Sequence, residues 1–451
     1  MKPESAAPRL NPNALSSHAH HWLAFSAGPD SLCLLHLLLE AGLRDRLDVI
    51  HIDHGLDSGS ACRAEQARHA AKQLGMHCHV ERLNPDELPS QGGPEAAARH
   101  ARYARLQARL SDNDHVLTAH HGDDQIETFF LRLLRASGAR GLSGMAVVRS
   151  FGAGFLARPI LHWSRQEILD YLERHDLTAI LDATNQDTTL DRNYLRQTVL
   201  PQIEQRWPGY RSAVLSSIDW MASARDALED RAEQDFAQCS EQRLGEDTIQ
   251  LQPWLKFEAG RALELIRHWC RTRSIEAPPG ARLQEWYRQC MHASPDRQPL
   301  LDWPEAQLRR WDDVLWLDCK PVPPDQWAVE QAVVTNTNLQ FALPAPLGIL
   351  RLHGSALPSG QWLVDSGQAG DVFPGEVIDL ETHARCTNNV NELLRSEGIP
   401  PWRRTRWPRI RNEGQLLALG SRWLARDCWR SLESQHVQLE WKSAGAFNPG
   451  C

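Results

Sequence analysis

Over roughly the first 160 residues, short apolar runs alternate with longer stretches of helical spacing, and no other feature constrains the fold as much. The pattern predicts strands at Trp22–Ser26, Leu47–Asp53, Met76–Arg82 and His115–His120, with helices such as Ser60–Leu74 and Pro94–Leu110 between them. Strands alternating with helices of that length imply a parallel sheet covered on both faces. In such sheets ligands bind beyond the carboxyl ends of the strands. Three chemically rich segments fall at those ends: Ser26–Ser31, Asp53-His54 and His120–Glu127. They are therefore predicted to converge on one site.

The first of them reads Ser26-Ala27-Gly28-Pro29-Asp30-Ser31, after the apolar run Trp22-Leu23-Ala24-Phe25 and before the apolar stretch Leu32–Leu39. A loop between strand and helix points backbone N–H groups and a helix N-terminus at an anion, and Ser26 and Ser31 add hydroxyl donors. Asp30 would repel bare phosphate, so its presence points to Mg²⁺ bridging the loop to a nucleotide. From these six residues alone, an ordinary Ser/Gly-rich turn remains an alternative. The Gly-Lys pair of the P-loop G-x-x-x-x-G-K-[ST] occurs nowhere in the chain. Gly152-Ala153-Gly154-Phe155-Leu156-Ala157 matches G-x-G-x-x-A, but Arg158-Pro159 follows and no helix can start there.

The loop resembles the S-G-G-x-D-S loop of the PP-loop ATP pyrophosphatases, which cleave ATP between the α- and β-phosphates to adenylate a substrate. Val49–Leu56 resembles the second strand and turn of that superfamily. Gly93–Tyr103 is similar to an E-A-A-A-R-x-x-R-Y helix, and Leu117–Thr128 to a T-A-H-x-x-D-D-x-x-E-T motif. In this order the set resembles one branch, the tRNA(Ile)-lysidine synthases. The likeness continues through Gly138–Met145, Arg158–Leu161 and Asp191-Arg192-Asn193-Tyr194-Leu195-Arg196, and covers about residues 10–215. Two departures lie in the loop. Ala27 stands where the family has glycine, which demands a negative φ or strain of ~1–2 kcal/mol. Pro29 removes one N–H from the cradle.

The resemblance implies an ATP site built from Ser26, Ala27, Gly28, Pro29, Asp30, Ser31 and Asp53, with Asp30 holding Mg²⁺ through the nucleotide. It also implies catalytic roles for Asp30, Arg102, His120, Asp124 and Glu127. His120, Asp124 and Glu127 are spaced i, i+4, i+7, so a helix opening at Gly122 would set the two carboxylates one turn apart on one face. By themselves the aspartates could simply favour the positive helix N-terminus, worth ~0.3–1 kcal/mol. Within the family these residues serve the substrate amine and the metal, with His120 as proton acceptor or orienter. Arg99 and Arg102 share a helix face after Glu95. One reading is a surface i,i+4 pair of Glu95 with Arg99, worth ~0.3–0.5 kcal/mol. The other places an arginine, Arg102 ahead of Arg99, against charge at the α-phosphate.

At 451 residues the chain should hold more than one domain. The boundaries read as a catalytic domain at 1–212, a helical middle domain at 213–335 that binds tRNA, and a small α+β C-terminal domain at 336–451 that also binds tRNA. The fold class is thus α/β, a doubly wound parallel sheet of the adenine nucleotide α-hydrolase kind followed by those two domains. Helical spacing is clear from Tyr210 to about Asp235 and over Ala259–Arg271, and short β-like runs recur at Gly348–Leu352, Gln415–Leu419 and Val437–Trp441. Ser164–Arg174 and Asn193–Arg206 read as further helices. The net charge of −8 excludes a generally basic coat, and most of it falls in the middle section, so RNA contacts must come from local patches. One such patch interleaves arginine with tryptophan from Pro400 to Arg411. Arg403, Arg404 and Trp407 are its candidate RNA-binding residues. The run Ile399-Pro400-Pro401-Trp402 followed by Arg404 also resembles the C-terminal RNA-binding domain of the synthases, although Cys386–Asn391 lacks that domain's usual lysines and Gln368–Asp371 its basic residue.

The ten cysteines show no C-x-x-C spacing, which reads as reduced thiols in a cytoplasmic protein, and no apolar run reaches the ~20 residues of a membrane span. The histidines at 18, 20 and 21, and at 77 and 79, read as ordinary solvated or strand residues. The resemblance implies ATP-dependent attachment of L-lysine to C2 of the wobble cytidine of tRNA(Ile) with anticodon CAU, through an adenylated base, releasing AMP and pyrophosphate. The implied partners are that tRNA, ATP, Mg²⁺ and lysine, with a homodimer left open and no membrane. Two rivals remain: a tRNA 2-thiocytidine synthase, which would need paired cysteines, and a tRNA-binding protein that has lost catalysis.

Overall fold

The computed structural model describes residues 9–16, 18–53, 55, 59–83, 93–180, 191–243, 246–294, 297–320, 327–333, 338–344, 347, 349–353, 360–366, 371–379, 385–404, 406–426 and 438–442. His54, the side chain of Glu95 and Gln368–Gly370 lie outside them. The chain forms two compact units, Met1–Ala227 and Leu228–Cys451.

The first unit begins with β1 (His21–Ala24), α1 (Pro29–Glu40), β2 (Leu47–Asp53), α2 (Ser60–Gln73), β3 (Cys78–Arg82), α3 (Gly93–Gln107), β4 (His115–Leu117) and α4 (Gly122–Leu134). A short α5 (Ala139–Leu142) leads to the hairpin β5 (Val148–Phe151) and β6 (Gly154–Ala157). The sheet order is β3-β2-β1-β4-β6-β5, parallel throughout except for β5. Six of the seven β2 residues are buried, polar His51 and Asp53 among them, as a strand covered on both faces requires. Seven residues of α1, among them Leu32, Leu34, Leu35 and Leu38, are buried too. They pack with Leu23, Val49 and Leu117 on one sheet face, while Ile50, Val116 and Leu156 join Ala101 and Leu106 of α3 on the other. The chain winds outward from β1 through β2 to β3, then returns to β4 on the other side. The strand order therefore reverses between β1 and β4, where such sheets open a crevice. Gly152-Ala153-Gly154 turns the β5–β6 hairpin, with Gly152 at φ +61°, and holds no nucleotide loop.

Next come α6 (Arg165–Arg174), α7 (Asp191–Tyr194), a π-helical turn at Leu195–Val199, α8 (Leu200–Arg206) and the long α9 (Tyr210–Cys239). The helix expected over Asn193–Arg206 is thus a composite. In the second unit, β7 (Ser240–Arg243), β8 (Glu246–Gln250), β9 (Leu300–Asp302), β10 (Ala306–Trp311) and β11 (Val314–Cys319) make a five-stranded sheet in the order β7-β8-β11-β10-β9. Helices α10 (Leu251–Leu255), α11 (Ala259–Thr272) and α12 (Gly280–His292) pack on it around Trp254, Trp269, Trp286 and Trp303. The expected helices are present in this middle section; the sheet was not foreseen. The last section holds antiparallel sheets of seven and three strands, with α13 (Val390–Ser396) and α14 (Pro401–Arg404). Among the described residues no helix is long and apolar enough to cross a membrane.

Candidate active site

The turn after β1 closes on itself through its two serines. The Ser26 N–H donates to Ser31 Oγ at 3.2 Å, the two hydroxyls lie 3.2 Å apart, and the Gly28 N–H donates to Ser26 Oγ at 3.3 Å. Gly28 caps α1 and Pro29 opens it, where a missing N–H is least costly to the helix. Ala27 is fully buried at φ +60°, so the alanine adopts the left-handed conformation and carries the strain. Its carbonyl accepts the Ile180 N–H at 3.0 Å, which holds the turn in place.

Asp30, Ser26, Ser31, Asp53, Arg102, His120, Asp124 and Arg192 line one cavity of about 390 Å³ at the carboxyl ends of β1, β2 and β4. The three segments expected to converge do so. Arg102 reaches the cavity from α3. Arg99 is exposed, its guanidinium lying over the Tyr103 ring. Asp53 is buried at the end of β2 and accepts from the Gly55 N–H at 3.0 Å and from the Ser60 hydroxyl.

Asp30 carries an unsatisfied oxygen. Its Oδ1 is buried without a hydrogen-bond partner, 3.7 Å from His121 Nε2. Burial raises its carboxyl above the usual range, against the pull of His121. Burial also pushes Asp124 up, but His121, Arg192 and His120 outweigh it and hold that carboxyl low. A buried carboxylate oxygen lacking a donor, facing a cavity with a second carboxylate, is a hard oxygen donor set suited to Mg²⁺. Burial drives His120 down to about 3, so it is neutral at pH 7, with Nδ1 2.8 Å from the Thr118 hydroxyl.

Glu127 departs from its expected place. It is fully buried, is not among the cavity-lining residues, and is clasped by Arg192 Nε at 2.6 Å and Arg196 Nε at 2.5 Å. Arg192 also donates to Asp124 at 2.9 Å. The i, i+3 carboxylates do share a face, but arginines from α7 and the π-helical turn take up that face. Sequence reasoning passed over Arg192, Arg196 and His121 as site residues. The four-residue spacing of the two arginines was the available signal. Asp123 faces away from the cavity and accepts the Arg165 N–H at the start of α6 at 2.8 Å.

The arginine–tryptophan strip needs correction. Arg403 is 2% exposed and bonds Glu246 Oε1 and Asp318 Oδ1, each at 3.1 Å, while lying over the Trp316 ring. Trp407 is 3% exposed and packs beside Trp423 in the core of the last section. Neither is accessible to RNA, because both are taken up in holding the second unit together. Arg404 is half-buried, with Nε donating to the Ile399 carbonyl at 2.6 Å.

Comparison with known proteins agrees with this geometry. Residues 4–203 match the PP-loop domain, 250–316 the TilS substrate binding domain, and 374–441 the TilS substrate C-terminal domain. A tRNA(Ile)-lysidine synthase from Alkalilimnicola ehrlichii is 33% identical over 458 residues, covering 95% of this chain and 98% of the relative. Its namesake from Xanthomonas campestris is 33% identical, covering 94% and 96%. One from Serratia proteamaculans is 34% identical, covering 90% and 91%. The match is continuous through the nucleotide-site turn, the middle sheet and the C-terminal section, and the chain belongs to the tRNA(Ile)-lysidine synthase family of PP-loop proteins.

Proposed function

We propose that the chain joins L-lysine to C2 of the wobble cytidine in tRNA(Ile) with anticodon CAU, using ATP and releasing AMP and pyrophosphate. The observation that carries this reading is one cavity holding a serine-closed helix N-terminus, an unsatisfied Asp30, Arg102 and the ionised Asp124. In the first step the cytidine O2 attacks the α-phosphate, an O–P bond forms and pyrophosphate leaves. In the second the lysine ε-amine attacks C2 and AMP leaves with the C2 oxygen.

The N-terminus of α1 and the hydroxyls of Ser26 and Ser31 favour the phosphates. Arg102 is placed to offset charge developing at the α-phosphate. When bound, Mg²⁺ would neutralise phosphate charge; Asp30, with Asp124 across the cavity, is the residue to hold it. Asp124 stays ionised, which suits it to an ammonium group. Neutral His120 orients reactants beside Thr118. Since adenylation supplies the leaving group, the protein contributes mainly position and charge. ATP and tRNA as substrates make the cytoplasm the expected place of work.

The test mixes protein, ATP, Mg²⁺, radiolabelled lysine and unmodified tRNA(Ile). Acid-precipitable label that requires both ATP and tRNA, with AMP and pyrophosphate formed in step, is the expected result. Release of ADP, or label without tRNA, removes the proposal.

A further inference from the structure

Arg192 of α7 and Arg196 of the π-helical turn both reach the carboxylates of α4, but they hold them differently. Arg196 takes both oxygens of Glu127, with Nε donating to Oε1 at 2.5 Å and Nη2 to Oε2 at 3.1 Å. Arg192 is a bridge. Its Nε donates to Glu127 Oε2 at 2.6 Å and its Nη2 to Asp124 Oδ1 at 2.9 Å. Arg192 lines the cavity, whereas Arg196 is not among the residues that do. We propose that Arg192 stands in for the ammonium group of the lysine substrate while the nucleotide is absent, and that lysine binds once Arg192 has turned to the phosphates of ATP. The proposal rests on the reading above that Asp124 receives that ammonium.

The hydrogen bonds decide which cation can leave. Without Arg192, both oxygens of Glu127 keep Arg196, and Asp124 Oδ2 keeps the His121 N–H at 3.0 Å. Asp124 Oδ1 loses its closest donor and is left with Arg196 Nη2 at 3.5 Å. That oxygen belongs to a cavity-lining residue, so an ammonium arriving through the cavity can take it up, with Glu127 Oε2 as a second acceptor. Loss of Arg196 would instead strip a fully buried carboxylate of its two-bond partner, which is far costlier. The Arg192 side chain is 37% exposed, so its head has room to turn.

Charge sets the order of binding. The two carboxylates already face two guanidinium groups, so the cluster is balanced as it stands. An ammonium added beside Arg192 would bring an excess positive charge to short range, where like charges repel. ATP changes the balance, because its phosphates in the same cavity offer the guanidinium fork an anion that it fits in a bidentate way. One cation then replaces another at Asp124. Arg192 is thus a positioning residue that keeps the acceptors closed until the nucleotide is in place.

The test measures binding of radiolabelled lysine to the full chain by equilibrium dialysis, with and without Mg²⁺ and an ATP analogue that cannot be cleaved between its α- and β-phosphates. The analogue should tighten lysine binding about 5–150-fold, and by linkage lysine should tighten the analogue by the same factor. Nucleotide-free Arg192→Gln should bind lysine about as tightly as the analogue-bound parent, whereas Arg192→Lys, which keeps the cation, should retain the coupling. A merely structural role would lower the melting temperature and leave the coupling intact. Equal lysine affinity with and without the analogue in the parent chain overturns the proposal, and that measurement needs no variant. So does coupling that persists in a folded Arg192→Gln. Lysine that binds the parent chain in neither condition overturns it as well, and the label-transfer assay above then shows separately whether the proposed reaction stands.

Discussion

Ala27 and Asp30, three residues apart, both hold conformations or charges that the fold alone would not favour. Replacing Ala27 with glycine relieves ~1–2 kcal/mol of left-handed strain. It also loses a buried methyl worth about 0.8 kcal/mol and adds ~0.5–1 kcal/mol of backbone entropy cost. Ala27→Gly should therefore leave stability within about 1 kcal/mol of the parent, which accounts for how the turn accommodates alanine. A β-branched side chain cannot be accommodated in the same way, so Ala27→Val should cost at least ~2 kcal/mol in urea melts. For Asp30, burial and an unpartnered oxygen make the charged carboxylate a burden on folding. Asp30→Asn should melt no lower than the parent, yet slow pyrophosphate release at least ~100-fold, about 2.7 kcal/mol of barrier. A variant with near-normal turnover at ordinary Mg²⁺ would show that the carboxylate does something else.

Among the elements, α14 has four residues and cannot persist by helical propensity. Its anchor is Arg403, which reaches Glu246 at the start of β8 and Asp318 in β11, while the Trp402 indole N–H donates to Asp318 at 3.0 Å. Truncating Arg403 strands two buried carboxylates, so Arg403→Ala should destabilise the second unit by about 3–5 kcal/mol. Arg403→Met, which fills the space without the charge, does not restore pairing and should lose nearly as much. The measurement is chemical denaturation, paired with tRNA binding at several salt concentrations under native conditions. Binding that loses close to one unit of salt slope while stability is unchanged would reinstate Arg403 as a phosphate contact.

At the scale of the whole molecule, neutral histidines are built into the first unit. His21 is fully buried at the start of β1, packs edge-on against the His115 ring, and is lowered to about 4, chiefly by burial. His120 is lowered to about 3. In the unfolded chain both titrate near 6.5. Between pH 6.5 and about 4 the unfolded state therefore binds more protons, and stability must fall as the pH drops through that window. The stabilisation is complete above pH 6.5. Thermal melts should show a steep loss on the acid side, and His21→Phe should flatten it. An unchanged acid slope in that variant would place the proton uptake elsewhere.

The order of the first four strands and of the helices between them, and with it the convergence of the turn after β1, Asp53 and the His120–Asp124 segment, could be read from the chain because each depends on local periodicity; the β5–β6 hairpin could not. Parallel pairing then places strand ends together without further information. The tertiary structure decided what distant partners control. The sign of φ at Ala27 follows from how the turn is held. Glu127 was drawn from the cavity by arginines 65 and 69 residues away. The middle sheet stayed hidden partly because β10 alternates buried and half-buried positions with Arg310 in a buried one, its guanidinium donating to the Cys290 and Ala293 carbonyls. Arg403 and Trp407 looked like a basic aromatic surface because composition does not reveal burial. Their partners lie 85 and 157 residues away from Arg403, and only packing brings those carboxylates within reach.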